Sequence, residues 1–137
     1  MDKEEPSDKI KRNRRRIMAV DDDPDITLTI KVGLEDDGSG LFEVDTFNDP
    51  EQALSYFKPG LYSIVLLDFR MPKMNGYELY DKIKKIDSKV KVCFMSATYV
   101  NYEAAREIFP SLDIECFIHK PVEINDLIRR INAELGN

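Results

Sequence analysis

The sequence predicts an α/β protein in which five parallel strands form one sheet, doubly wound by helices into a three-layer sandwich. Three observations carry that prediction. From Ile17 onward, short apolar runs alternate with amphipathic stretches, the pattern of repeated βα units around a parallel sheet. The run Ile64-Val65-Leu66-Leu67 is apolar on both faces and bounded by turn residues, as a strand covered by helices on each side requires. The length, 137 residues, suits one domain with a real core and is too short for a second full one. Right-handed crossovers then place helices on both faces of the sheet.

Strands are predicted at Arg16 to Val20, Phe42 to Thr46, Tyr62 to Leu67, Val90 to Met95 and Ile114 to Ile118. The first helix begins after Pro24, a good first-turn residue, and runs from Asp25 to about Glu35 with Ile26, Ile30 and Leu34 on one face. Asp36-Asp37-Gly38-Ser39-Gly40 breaks it. The second, Pro50 to about Phe57, follows an N-cap at Asp49 and ends before Pro59-Gly60. A third runs from about Tyr77 to Ile86 with Leu79, Ile83 and Ile86 on one stripe, and a fourth from near Asn101 to Phe109 stops at Pro110. The last, Ile124 to Leu135, has an apolar face of Ile124, Leu127, Ile128, Ile131 and Leu135 and ends at Gly136.

Composition narrows the function classes. An apolar fraction of 42% and a charged fraction of 34% describe a soluble globular protein, and the apolar runs are far shorter than the roughly twenty residues of a membrane span. The charged N-terminus lacks a secretory signal, which predicts a cytoplasmic location. Residues 1–15 form a basic arm read as flexible and solvated, and residues 16–137 the folded domain. The net charge of -6 conceals a positive first sixteen residues, so the folded part is strongly acidic and excluded as a general nucleic-acid binder. Nucleic-acid contact through Lys9, Lys11, Arg12, Arg14, Arg15 and Arg16 of the arm is the less favoured reading. Cys93 and Cys116 lie in apolar strand-like runs without CxxC spacing and are read as reduced core cysteines.

Polar residues gather at the strand ends. In a flavodoxin-like order, 2-1-3-4-5, the carboxyl ends of strands one and three meet where ligands bind in such sheets. Strand one ends in Ala19-Val20-Asp21-Asp22-Asp23 and strand three in Asp68. Unit charges 4 Å apart repel by about 4 kcal/mol at an effective dielectric of about 20, so three carboxylates here need a positive complement. A hard divalent cation, Mg²⁺ or Mn²⁺, held by carboxylates, a backbone carbonyl and water meets that need. Ser96 and Lys120 stand at the ends of strands four and five, and Pro121 restricts the backbone after Lys120. Each residue alone is compatible with a plain role, as turn acid, strand terminus or surface cation. Together they supply a carboxylate nucleophile, a cation site, a hydroxyl and an ammonium, the requirements of phosphoryl transfer.

With these groups in place, the chain from Ile17 to about Leu135 resembles the receiver domain of two-component response regulators, of the stand-alone single-domain type. The matching motifs are IMAVDDDPD, LLDFRMPKMNG, MSAT and FIHKP. The resemblance implies that Asp68 accepts a phosphoryl group from the phosphohistidine of a histidine kinase or phosphotransfer protein. It implies that Asp22, Asp68 and the backbone carbonyl of Arg70 ligate Mg²⁺, with Asp21 acting through water. Ser96 and Lys120 would then hold the phosphoryl group, and Ser96 with Phe117 would form the switch. The protein would be a regulatory phosphoacceptor, not an enzyme, assisting only its own phosphorylation and dephosphorylation. By the same resemblance, Arg70 and Thr98 fall at positions that in the family tune phosphoryl lifetime, and Arg70 would either contact the group or shield it from water. Asp23 is expected to be solvated.

Some features depart from the family. Phe117 lacks the hydroxyl of a switch tyrosine, and the stretch from Ala97 to Lys120 is about two residues longer than typical, counted on the sequence. The output face would be that of the fourth helix, fifth strand and last helix, and its target a separate protein or a second copy upon phosphorylation, since no output domain fits after Leu135. A phosphorylation-independent interaction module is the alternative, separable by Mg²⁺ titration with Tyr62 as a nearby fluorophore. An Asp-dependent hydrolase fits poorly, because a dehalogenase-type phosphatase would want an acid where Arg70 stands.

Overall fold

A computed structural model describes residues 14–97, 107 and 116–136. Five strands form one parallel sheet: β1 (Arg15–Val20), β2 (Phe42–Phe47), β3 (Ile64–Asp68), β4 (Lys91–Ser96) and β5 (Phe117–His119). Their order is β2-β1-β3-β4-β5, as expected. The helices with both ends among the described residues are α1 (Pro24–Glu35), α2 (Pro50–Tyr56), α3 (Gly76–Ile86) and α4 (Ile124–Glu134). Apart from Glu107, the predicted fourth helix lies outside the described residues, as do Thr98 and most of the basic arm.

Alternation along the strands explains why the sheet is covered twice. In β1, Met18 and Val20 join Val65, Leu67 and Phe94 in a core closed by Ala53 of α2 and by Leu79, Tyr80 and Ile83 of α3. Ile17 and Ala19 join Ile64, Leu66, Cys93 and Met95 in the opposite core, closed by Ile30 and Leu34 of α1 and by Leu127 and Ile131 of α4. Because successive strand side chains point to opposite faces, only a run apolar at every position can serve both cores. The helices start where side chains replace missing backbone partners: Asp23, Asp49 and Asn75 accept hydrogen bonds from Asp25, Glu51 and Glu78 N–H groups.

Several expectations are corrected. Cys93 and Cys116 form a disulfide, with Cα atoms 4.6 Å apart. The register pairs Phe94 with Phe117, which sets the preceding cysteines side by side on neighbouring strands, a proximity their sequence separation of 23 conceals. Asp68 and Ser96 are the last residues of their strands, and β5 reaches to His119. Ile86, expected on the buried stripe of α3, is 43% exposed. β1 begins at Arg15, one residue before the expected start, and Arg16 is committed to Asp45 at 2.9 Å. Tyr62 precedes β3 and donates its hydroxyl to Asp45. The whole of β3, on the order of 13 Å of strand, lies between it and Asp68, so it stands at the end of the strand away from the site.

The outer edge of β2 is covered by side chains. The Val44 N–H donates to Glu35 Oε2 at 2.9 Å, and Lys31 Nζ donates to the Val44 carbonyl at 2.8 Å. Lys31 and Glu35 are themselves paired across one turn of α1. They occupy the hydrogen-bonding groups a sixth strand would use, and unguarded edges invite association. The double variant Lys31→Ala/Glu35→Ala is expected to keep its fold by circular dichroism and to show more associated species by light scattering at high concentration. Unchanged scattering would remove the guarding role.

Gly76 fixes the loop after β3. A Cβ there would stand 2.4 Å from the Asp68 carbonyl oxygen and 2.9 Å from Phe69 Cα, both backbone atoms that cannot swing aside. The Gly76 N–H also donates to the Phe69 carbonyl at 3.0 Å. Gly76→Ala is therefore expected to lower stability in chemical denaturation by about 1–3 kcal/mol, the usual cost of overpacking.

Candidate functional site

The register delivers four strand ends to one edge. β1 runs into Asp21, β3 ends on Asp68, β4 ends on Ser96, and the residue after β5 is Lys120. Asp21 is fully buried, Asp68 is 5% exposed and Ser96 2% exposed. Carboxylate oxygens of Asp21, Asp22 and Asp68 lie within 4.8 Å of one another, with Asp22 on the solvent side. Lys120 Nζ sits 2.6 Å from Asp21 Oδ2 and 3.3 Å from Asp68 Oδ1. The Lys120 N–H donates to the Ser96 carbonyl at 2.8 Å, so the ends of β4 and β5 are fastened together at the site. The Lys120-Pro121 peptide is cis.

Two buried acids share one ammonium, and the titration of Asp68 and Lys120 reflects it. Burial pushes the Asp68 carboxyl up to about 6, and the Asp21 charge adds to this, against the opposing pull of Lys120 and the Arg70 N–H. Burial alone would lower Lys120, but contact with Asp21 and Asp68 outweighs it and raises its pKa above the usual range. Asp21 Oδ1 accepts from the Asp23 N–H at 2.9 Å, whereas the buried Oδ2 has the Lys120 charge beside it but, among the described residues, no partner in hydrogen-bond geometry. An all-oxygen donor set with such an atom fits Mg²⁺, which takes one or two carboxylates and keeps several waters.

The structure also places the other expected residues. Arg70 is exposed, and its N–H faces Asp68 Oδ1 at 3.5 Å. Phe117 is half-buried, its ring 6.2 Å from Phe69 and 6.4 Å from Phe94. Asp23 is exposed and caps α1. His119 is exposed, with Nδ1 2.6 Å from the Lys120 carbonyl. Two residues at this edge carry no sequence signal of their role, Asn48 and Thr27. Asn48 Nδ2 donates to the Asp21 carbonyl at 2.8 Å and to Thr27 Oγ1 at 3.0 Å. In sequence Asn48 is one more turn residue before a helix, and Thr27 breaks the apolar periodicity of α1 without any sign of its partner.

A doubly wound parallel sheet with a carboxylate cluster and a lysine at its carboxyl edge defines a class of α/β proteins that work at that edge. Residues 17–132 match the response regulator receiver domain, and the chain belongs to that family, whose members are regulatory phosphoacceptor domains of two-component signalling. A transcriptional regulatory protein of Haemophilus influenzae, a CpxR homolog, is 34% identical over 120 residues, covering 88% of this chain and 50% of that protein. The transcriptional regulatory protein DltR of Streptococcus agalactiae is 29% identical over 116 residues, covering 85% of this chain and 50% of that protein. The chain thus spans about half the length of these curated relatives. Among solved structures, a CheY-like receiver domain protein of Methanospirillum hungatei superposes with a TM-score of 0.77 at 28% identity, covering 90% of this chain and 94% of that one. The non-phosphorylated HemR receiver domain of Leptospira biflexa gives 0.75 at 26% identity, covering 90% and 96%. No helix among the described residues is long and apolar enough to cross a membrane.

The raised Asp68 pKa carries a stability consequence with a definite sign. Without metal, the folded protein holds the Asp68 proton to about pH 6. The unfolded chain releases it near pH 4. Stability therefore falls as pH rises through that window and the penalty persists above it. In EDTA, Asp68→Asn is expected to be more stable than wild type at pH 7 by about 1–3 kcal/mol, with the gap closing towards pH 4. Denaturant midpoints across pH 4–8 measure it, and a destabilised variant at pH 7 would contradict the assignment.

Proposed function

We propose that the protein is a phosphorylation-dependent switch in which Asp68 takes a phosphoryl group from the phosphohistidine of a histidine kinase or phosphotransfer protein. The observation that carries this is the convergence of Asp68, Asp21, Asp22, Ser96 and Lys120 at one edge of the sheet. Asp22, Asp68 and the Arg70 backbone carbonyl would hold Mg²⁺ (or Mn²⁺), with Asp21 acting through water. When bound, the ion supplies positive charge opposite the phosphoryl oxygens.

The chain's own residues do the rest. An ionised Asp68 oxygen attacks phosphorus as the histidine N–P bond breaks. The imidazole nitrogen leaves with the bonding pair and is protonated from solvent, giving an acyl phosphate and neutral histidine. Lys120 is held by two carboxylates, and its ammonium can move onto the incoming phosphoryl group while keeping Asp21. Ser96 stands at the strand end beside it, joined through its carbonyl to Lys120, so its hydroxyl can follow the new charge. That charge, about -1.5 to -2 by analogy with other phosphorylated side chains, biases the position of β5 and Phe117. Phe117 packs in an aromatic cluster and has no hydroxyl, so its switching rests on packing. Arg70 and Thr98 are assigned to phosphoryl lifetime.

A cleft of about 430 Å³ lined by Ile26, Thr29, Ala97, Pro121 and Val122 opens beside Lys120, and α1 also exposes Leu28 and Val32. These surfaces support a protein as phosphoryl donor. The downstream partner is read as a protein met in trans or a second copy upon phosphorylation, acting in the cytoplasm through the face of β5 and α4.

Asp68→Asn is expected to abolish Mg²⁺-dependent labelling by acetyl phosphate or a phosphorylated kinase while leaving the circular dichroism spectrum intact. Undiminished labelling of that variant would place the acceptor elsewhere. A wild-type protein that takes no label and shows no Mg²⁺ dependence of its melting temperature would instead be a phosphorylation-independent docking module.

A further inference from the structure

Asn48 lies after β2, outside the acid cluster, yet it is bonded to the backbone that carries the cluster. Its Nδ2 has two hydrogens and two acceptors: the Asp21 carbonyl at 2.8 Å and Thr27 Oγ1 at 3.0 Å. The Thr27 hydroxyl gives its own hydrogen to the Pro24 carbonyl at 3.2 Å, which leaves its lone pairs to accept from Asn48. Thr27 is only 2% exposed, so this is an interior bond and not a surface contact. On the other side of the same residue, the Asp21 N–H donates to the Phe47 carbonyl at 3.1 Å. Both peptide groups of Asp21 are thereby tied to the β2–α2 turn, one through the main chain and one through Asn48.

The consequence falls on Asp22. Asp21 has further anchors, since its carboxylate accepts from the Asp23 N–H and faces Lys120. Asp22 is exposed and stands in the acid cluster. Its direction is set by the Asp21–Asp22 peptide, whose carbonyl Asn48 holds. The first turn of α1, entered immediately afterwards, is held by the Thr27 hydroxyl through Pro24. We infer that Asn48, with Thr27 behind it, is a positioning residue for the divalent-cation site, fixing the peptide that aims Asp22 at the space shared with Asp68. This rests on the Mg²⁺ reading above and adds a residue pair outside the acidic motif. Partners of this kind, which orient a ligand without touching the metal, typically change affinity by about 10- to 100-fold when removed.

The test measures Mg²⁺ binding to the whole chain by titration calorimetry. Asn48→Ala and Thr27→Val, which is isosteric but cannot bond, are each expected to weaken Mg²⁺ affinity about tenfold or more, whereas Thr27→Ser restores it. In EDTA, hydrogen exchange of the Asp22 and Asp23 amides is expected to accelerate in Asn48→Ala and Thr27→Val but not in Thr27→Ser. If the variants lose melting temperature while their Mg²⁺ affinity stays at the wild-type value, the pair is structural only and the inference fails. Should Asn48→Ala not fold, the comparison of Thr27→Val with Thr27→Ser decides alone. A wild-type protein that binds no Mg²⁺ would overturn the parent reading, an outcome distinct from wild-type binding that Asn48 does not influence.

Discussion

One ammonium, Lys120 Nζ, sits between two buried carboxylates, and the carboxyl edge of the sheet depends on it. Burying an acid is costly, and burying a second within a few ångströms of the first is more so. Lys120 reduces the repulsion between Asp21 and Asp68 without cancelling it, since Asp22 adds a third charge at the solvent side. The raised pKa of Asp68 comes first from its burial and then from the Asp21 charge, which Lys120 only partly offsets. The fold therefore carries a local excess of negative charge that a cation can relieve. It tolerates the excess because two apolar cores, one on each face of the sheet, bury Ile17 to Val20, Ile64 to Leu67 and Cys93 to Met95.

Placement of the four groups comes from parallel register. β1, β3 and β4 are neighbours whose carboxyl ends point the same way, so any polar residue closing one of them falls beside the others. The loop leaving each strand then decides the fine geometry. After β1, Asp23 caps α1 and Asn48 holds the Asp21 carbonyl. After β3, the loop returns at Gly76 to lie against the Asp68 backbone, where a side chain could not fit. After β4 and β5, the bond from the Lys120 N–H to the Ser96 carbonyl joins the two ends.

β5 is the short edge strand, with three residues in the ladder, and three contacts hold it in register. The Phe94 N–H donates to the Cys116 carbonyl, the Cys93–Cys116 disulfide crosses to β4, and Arg130 of α4 donates to the Phe117 carbonyl at 2.9 Å. The strand that delivers Lys120 and Phe117 is thus tied to β4 at its amino end, while the bond from the Lys120 N–H to the Ser96 carbonyl ties its carboxyl end, and the opposite edge of the sheet is closed by Lys31 and Glu35. Both edges are managed by side chains from the helices.

Much of this was legible in the residues alone. Doubly apolar runs require a sheet covered on both faces, and Asp21, Asp22, Asp68, Ser96 and Lys120 announce themselves because strand ends are where a buried chain first meets water. Local signals such as the capping acid Asp49 were equally readable, since a cap is decided within a few residues. Tertiary structure decided whatever depends on distance in space. The pairing of Cys93 with Cys116 comes from strand register, the exposure of Ile86 from where α3 meets the sheet, and the remoteness of Tyr62 from the direction of β3. The same holds for Asn48 and Gly76, whose roles exist only because two loops far apart in sequence close onto the acid-bearing turns. Sequence determined which chemical groups reach the carboxyl edge, because local pattern and parallel topology suffice for that. Only packing between non-neighbouring segments decided how those groups are aimed, because contacts across the fold leave no periodic trace in the chain.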